Sequence, residues 1–357
     1  MKLPLTASRL PEERREIYER TAEHIGGNPL HELRHIAVPN GCRIFAMEEF
    51  RNPSGSHYDR ETLALLCGLE AMGEIEHGGL PLIETTTGSS GASLAWLARV
   101  LGFSCKILIP KDMPAARIAQ IEGYGSATVQ FAPELLYIKG LVDLIRTELR
   151  LSDDDFKYPN HSYDVDFGPP AFGEIGTEAI EHMESDKELT DEQRRRPDYF
   201  VCALGNGVSA RGVADVLHPL GTSIVGMEPY ESPDVLRLRF AEQYQAEYGN
   251  DFVQSRHEIY GTGPGQDADV DFPNVQAVAP LLDRIFLPKP EDWKPLQVQL
   301  MDLEARHVGN SSAACIWAAL KLAEAVPAGS TILTIYYDAW WRYLPLPLGD
   351  ERLNCVP

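Results

Sequence analysis

Leu80-Pro81-Leu82-Ile83-Glu84-Thr85-Thr86-Thr87-Gly88-Ser89-Ser90-Gly91 runs directly into Ala92, Leu94, Ala95, Leu97, Ala98 and Leu101. Leu80 to Glu84 predicts a short apolar strand, Thr85 to Gly91 a Gly/Ser turn, and the Ala/Leu run an apolar helix. That order is an anion-binding arrangement. Unpaired N–H groups of the helix start and the positive end of its dipole both face the loop. Tyr199–Leu204, then Gly205–Gly212, then a further helix repeat the unit. Other strands are expected at Arg43–Met47, Cys105–Ile109, Ala127–Val129, Ser223–Met227 and Thr331–Tyr336. Helices are expected at 11–24, around 64–66, from Ala115, over 176–183 and over 313–325. The alternation predicts an α/β fold with mostly parallel sheets covered on both faces. Residues 150–170, rich in Asp, Pro, Asn and Gly, read as a crossing between domains, and 231–275 as irregular.

The chain has 357 residues, room for one large or two medium domains with a real core. Its formal net charge of -21 argues against a nucleic-acid partner or an anionic membrane surface. No run is long and apolar enough to span a membrane, and no opening segment reads as a signal peptide. The cysteines at 42, 67, 105, 202, 315 and 355 form no C-x-x-C pair, which predicts free thiols in a reducing cytoplasm.

Three Ser/Thr/Gly loops stand at helix starts: 86–91, 205–209 and 309–312. They suggest a pocket for a ligand with several anionic groups, phosphate and carboxylate above all, with ordinary βα turns as the alternative. A fourth stretch, Asn52-Pro53-Ser54-Gly55-Ser56-His57-Tyr58-Asp59-Arg60, reads as a turn before a helix.

Taken in order, these segments resemble the cysteine synthase / tryptophan synthase β-like family of pyridoxal-phosphate (PLP) enzymes, fold type II. Ile25-Gly26-Gly27-Asn28-Pro29-Leu30 is similar to that family's I-G-N-T-P-L, and Asn52–Arg60 to N-P-x-G-S-x-K-D-R. Thr86–Gly91 resembles T-S-G-N-T-G, and Gly205–Ser209 the G-T-G-G-T phosphate cup. Val225–Pro229 resembles V-G-V-E-P, and His257–Gly263 resembles H-x-I-x-G-I-G. Gly309–Ala313 resembles G-I-S-S-G, and Asp338–Leu344 the closing D-x-G-x-R-Y-L. The resemblance implies two three-layer αβα domains with mostly parallel twisted sheets: a smaller one at 46–164, and a larger one of 1–45 with 165–357. It places the site in the cleft between them and implies a homodimer. It assigns the substrate carboxylate to Thr86, Thr87, Gly88, Ser89 and Ser90. It assigns the cofactor to Ser89, Gly205, Asn206, Gly207, Val208, Ser209 and Ser311.

The departures fall on the chemistry. Where the family's lysine forms the Schiff base with PLP, this chain has Tyr58, and the only lysine before Lys106 is Lys2. A phenol cannot form an imine, and with a reference pKa near 10 it is a poor base when unperturbed. Ser89 replaces an asparagine that meets the cofactor's 3′-oxygen. Val208 replaces a glycine of the phosphate cup, where valine disfavours positive φ and crowds a close ligand. Tyr58 and then His57 are the candidate catalytic groups. Residues one apart on a helix diverge, so His57 is expected at the surface or behind the site. No metal is expected: Asp267, Asp269 and Asp271 read as a solvated loop, and His161, Asp164 and Asp166 as part of the domain crossing.

Two functions follow. One is an atypical cysteine-synthase-like enzyme working on an amino acid or amino-acid-like substrate by β-replacement or β-elimination, with PLP held non-covalently or not used. The other is a non-catalytic homologue that binds a small anionic ligand or pairs with an active partner.

Overall fold

The computed structural model describes residues 1–131, 150, 152, 154–263 and 272–345. They form two compact units. The first takes Met1–Gly26, Asn52–Ala171 and the described residues from Trp340 on; the second takes Gly27–Arg51 and Phe172–Ala339.

In the first unit, β3 (Leu82–Thr85), β4 (Cys105–Pro110) and β5 (Ala127–Phe131) form a parallel sheet in that order. Helices α1 (Glu12–Ala22), α2 (Tyr58–Met72), α3 (Ser89–Leu101) and α4 (Ala115–Gly123) accompany it. The sheet core is apolar: Leu82, Ile83, Ile107, Leu108 and Ile109 are fully buried. Helix α2 is buried without a break from Asp59 to Leu69, four charged or polar residues included.

The second unit is built on a six-stranded sheet. Its strands are β1 (Leu30–Glu32), β2 (Arg43–Met47), β6 (Tyr199–Ala203), β7 (Ser223–Met227), β8 (Leu282–Phe286) and β9 (Thr331–Ile335), in the order β1-β2-β9-β6-β7-β8. Only the β1–β2 pair is antiparallel among these. Every residue of β9 is buried, as a central parallel strand with both faces covered requires. The helices are α5 (Gly168–Glu184), which begins in the first unit, α6 (Asp191–Arg195), α7 (Val208–Leu217), α8 (Asp234–Arg239), α9 (Ala241–Tyr248), α10 (Pro273–Val278), α11 (Pro290–Glu304) and α12 (Asn310–Ala323). Helix α12 packs on β6, β7 and β9, and α7 on β6.

Several boundaries differ from the sequence reading. Residues 1–26 group with the first unit because Arg14 pairs bidentately with Glu70 of α2, at 2.7 and 2.8 Å, and Tyr18 donates to the same carboxylate. Residues 46–51 follow β2 into the second unit. The segment read as a domain crossing runs alongside β3, with Lys157 and Ile83 joined by a 2.8 Å backbone bond. Part of the stretch read as irregular holds α8 and α9. These helices are short, and α9 buries no residue, so neither carries an apolar period. Helix α12 starts at Asn310, which puts Ser311 and Ser312 in its first turn. Asp267, Asp269, Asp271 and Cys355 lie outside the described residues; the five other cysteines are free thiols. Among the described residues, no helix is long and apolar enough to cross a membrane.

Candidate active site

The turn before α2 closes when the Gly55 N–H meets the Asn52 carbonyl at 2.7 Å. Asp59, fully buried in the first turn of α2, accepts the Ser54 N–H at 2.8 Å. Burial pushes its carboxyl up to about 6, against the Ser54 N–H bond and the charge of Arg342. Arg342 is itself fully buried and donates to the Ser54 carbonyl at 2.7 Å and to the Gly88 carbonyl at 3.1 Å. One guanidinium thus fixes the turn before α2 against the loop before α3.

Tyr58, the first residue of α2, is half-buried, and its N–H lies 3.3 Å from the Ser56 hydroxyl. Its ring lies against that of His57, centroids 4.3 Å apart, and edge-on to His161 at 6.0 Å. His57 is only 6% exposed, so of the two expected places, at the surface or behind the site, the surface is excluded. It stands at the N-cap of α2, next to Tyr58.

The loop from Thr86 to Ser90 is braced from within. The Thr86 hydroxyl accepts the N–H groups of Gly88 at 2.8 Å and Gly91 at 3.1 Å, and shares a 2.8 Å bond with Ser90. Thr87 and Ser89 are the half-exposed members, while Thr86 and Ser90 are buried. Gly88 has φ 133°, and a Cβ there would sit 2.5 Å from Cδ of Arg117, so only glycine fits. The buried Arg117 donates to the Thr87 carbonyl at 2.8 Å and stacks over Tyr343. Two buried guanidinium groups therefore support this loop. With the positive end of the α3 dipole they make its surroundings favourable to an anion.

Beside Tyr58 lies a group of titratable side chains that the sequence reading did not assemble. Glu84, at the end of β3, accepts the His161 N–H at 3.1 Å and faces His161 Nδ1 at 3.2 Å. Burial works against charge on this imidazole, but Glu84 above all outweighs it, with Asp164 and, once ionised, Glu61 adding to the rise, to about 9. Glu61, one helical turn after Tyr58, is fully buried, and neither of its oxygens has a hydrogen-bond partner. Burial pushes its carboxyl up to about 8; Asp164 and Glu84 add to the rise and His161 opposes it. Asp164 accepts the N–H groups of Asp166 and Phe167 at 3.1 Å each, and that of Gly168, at the start of α5. His161 is thus no solvated crossing residue. No metal-binding cluster occurs among the described residues. The one signal for Glu61 in the sequence was a glutamate just ahead of the apolar run Leu63–Leu66.

The second unit carries the Gly205–Ser209 loop. Gly207 has φ 84°, and a Cβ there would meet the Val275 nitrogen at 2.5 Å. Val208 is the first residue of α7 and its side chain is fully buried. Gly207 takes the positive φ, so the backbone objection to Val208 falls away. The Val208 N–H lies 3.2 Å from the Asn206 side-chain oxygen. Gly205 sits under the segment after His257: a Cβ there would lie 2.2 Å from the Gly261 carbonyl, and the Gly263 N–H binds the Leu204 carbonyl. Ser209 is half-buried. Ser311 is 7% exposed in the first turn of α12, while Ser312 is occupied by the Tyr337 N–H at 2.9 Å. A cavity of about 550 Å³ elsewhere in this unit, lined by His31, Glu48, Glu304 and Arg306 among others, contains none of the candidate catalytic, cofactor or carboxylate residues named from the sequence.

These parts suit PLP unequally. A glycine turn into the uncapped start of α7 suits a phosphate, and Ser311 offers a hydroxyl for a pyridine nitrogen. Helix α2 offers a phenol and two acids in its first turn, and no amine.

Residues 21–338 match the model of the family described as pyridoxal-phosphate dependent enzyme. The chain belongs to this family. Cysteine synthase B of Salmonella typhimurium is 27% identical over 338 residues, covering 92% of this chain and 96% of that protein. Among solved structures, a hydrogen sulfide-producing enzyme from Fusobacterium nucleatum matches with a TM-score of 0.75 at 24% identity, covering 91% of this chain and 99% of that one. A lysine-to-alanine mutant of O-ureido-L-serine synthase with O-ureido-L-serine bound matches with a TM-score of 0.74 at 24% identity, covering 94% of each chain. The chain is thus a cysteine-synthase-like member of a family of enzymes, and its fold is that of type II PLP enzymes.

Proposed function

We propose that this chain is an enzyme acting by β-replacement or β-elimination on an amino acid that carries a leaving group at Cβ, with PLP held non-covalently. One observation carries the reading: a phenol, packed between two histidine rings, opens the helix on which the family resemblance places the lysine. The solved relative that holds O-ureido-L-serine without one of its lysines supports it, because the fold keeps such a ligand after that loss.

PLP supplies the electron sink that stabilises negative charge at the substrate Cα. The chain's own residues do the rest. The Gly205–Ser209 loop and the start of α7 take the phosphate, and Ser311 meets the pyridine nitrogen. The loop of Thr87, Ser89 and the α3 start takes the substrate carboxylate, with Thr86 as its internal brace. Tyr58 Oη takes the proton from Cα as the leaving group departs from Cβ, and in β-replacement returns it to Cα as the nucleophile bonds to Cβ; His57 orients the Tyr58 ring. The working form is a homodimer.

The test is direct. The purified protein is mixed with PLP and with O-acetyl- or O-ureido-L-serine, and its absorption and product release are recorded. Expected are a saturable PLP signal, turnover, and no lysine adduct after borohydride reduction and peptide mapping. A mapped lysine adduct removes the non-covalent claim. Absence of turnover with both substrates and every added nucleophile removes the enzymatic one.

A further inference from the structure

Four titratable groups lie beside Tyr58, Glu61 and Glu84 buried and His161 and Asp164 partly so, and the reaction above uses none of them. Glu61 comes from α2, Glu84 from the end of β3, and His161 and Asp164 from the segment before α5. We propose that His161, held as an imidazolium among these acids, is a positioning residue for Tyr58 whose charge favours the phenolate form of that side chain. The proposal deepens the reading of Tyr58 as the proton-transfer group, since an unperturbed phenol is a poor base near neutral pH.

The charges that face His161 are these. Glu84 reaches it twice, through the backbone N–H at 3.1 Å and Nδ1 at 3.2 Å. Glu84 also accepts the Thr85 N–H at 3.0 Å. Asp164 spreads its charge over three backbone N–H groups. Glu61 makes no hydrogen bond with either oxygen, and a bare carboxylate in that position would be costly, so it keeps its proton at neutral pH. The second ring nitrogen of His161 lies 3.3 Å from the Ser162 hydroxyl. Of the whole group it is the imidazole that touches the Tyr58 ring, edge-on at 6.0 Å. His57 flanks the same ring at 4.3 Å. Relative to a neutral side chain at position 161, the imidazolium favours loss of the phenol proton to water, by about one pH unit, a tenfold gain in phenolate, while the carboxylates that hold it oppose that loss.

NMR on the full chain without PLP or substrate tests this, with 15N in the histidine rings and 13C at tyrosine Cζ. Tyr58→Phe and His161→Asn assign the two signals. The expected result is an imidazolium signal for His161 through pH 7, and a Tyr58 signal that moves to phenolate about one pH unit lower in the native chain than in His161→Asn. A neutral His161 ring at pH 7 in the native chain overturns the proposal, and needs no variant to fold. The same Tyr58 titration in the native chain and a folded His161→Asn also overturns it. Because no cofactor is present, this result stands apart from the turnover test above.

Discussion

The rings of Tyr58 and His161 stand nearly perpendicular, with centroids 6.0 Å apart and planes at 83°. Positions 58 and 161 are far apart in the chain, and the contact exists because Glu84 holds His161 from β3 while the turn at Asn52–Gly55 aims the start of α2. Whatever Tyr58 does, it does beside a partly buried histidine and a buried, unpartnered glutamate.

Tyr58→Phe removes one hydroxyl and keeps the ring packing. Turnover with a β-substituted serine is expected to fall about 10²- to 10⁴-fold, the usual worth of a general acid/base, with an unchanged circular dichroism spectrum. The companion Tyr58→Lys is expected to gain a PLP absorption band that borohydride fixes at position 58. Unchanged turnover in Tyr58→Phe removes the phenol from the mechanism.

Stability is expected to fall as pH rises from neutral towards 9. Glu61 keeps its proton in the folded chain up to about 8, whereas the unfolded chain releases it near 4.5. Its contribution is therefore present at low pH and is lost as pH climbs to 8. His161, raised from 6.5 to about 9, adds stability below 6.5 that is lost through 9, so both act in the same direction. Thermal melts across pH 6 to 9 should slope downward in the native chain and be flatter in Glu61→Gln. Equal slopes would show that Glu61 holds no proton.

Arg342→Ala removes the guanidinium that bridges the Ser54 and Gly88 carbonyls, which keep only the Gln120 side-chain N–H and the Ala92 backbone N–H. A loss of about 2–4 kcal/mol in urea unfolding is expected, along with weaker binding of the substrate carboxylate. Full stability in this variant would show that the two loops hold their places unaided.

Gly88→Ala forces a side chain into φ 133° and against Arg117. It is expected to cost about 1–3 kcal/mol and to weaken substrate binding more than PLP binding. Isothermal titration with each ligand separates the two; equal losses would argue against the loop's carboxylate role.

Val208→Gly restores the residue that the family resemblance leads one to expect. The Val208 side chain is buried and the positive φ lies at Gly207, so the change is expected to destabilise by about 1–3 kcal/mol. PLP affinity should change little. A large gain in affinity would show that valine does crowd the phosphate.

Much of this was readable in the sequence. Residue types that carry local conformational demands announce themselves: Gly88 and Gly207 stand where the backbone needs positive φ, and strand–loop–helix order gave the α/β fold. The absence of lysine from residue 3 to 105 and the tyrosine after Ser56-His57 are likewise plain. The short helices α8 and α9 left no trace because they bury too little to impose a period.

Only the tertiary structure settled what surrounds these residues. It buried His57 against Tyr58, used up the Thr86 hydroxyl inside its own loop, and turned Val208 into the core. It drew Glu84 and His161 together across 77 positions, and Arg342 and Ser54 across 288. Dihedral preference belongs to a single residue and can be read from its type. Desolvation and charge coupling belong to whatever distant segments the fold brings alongside, so they exist only once the chain has closed on itself.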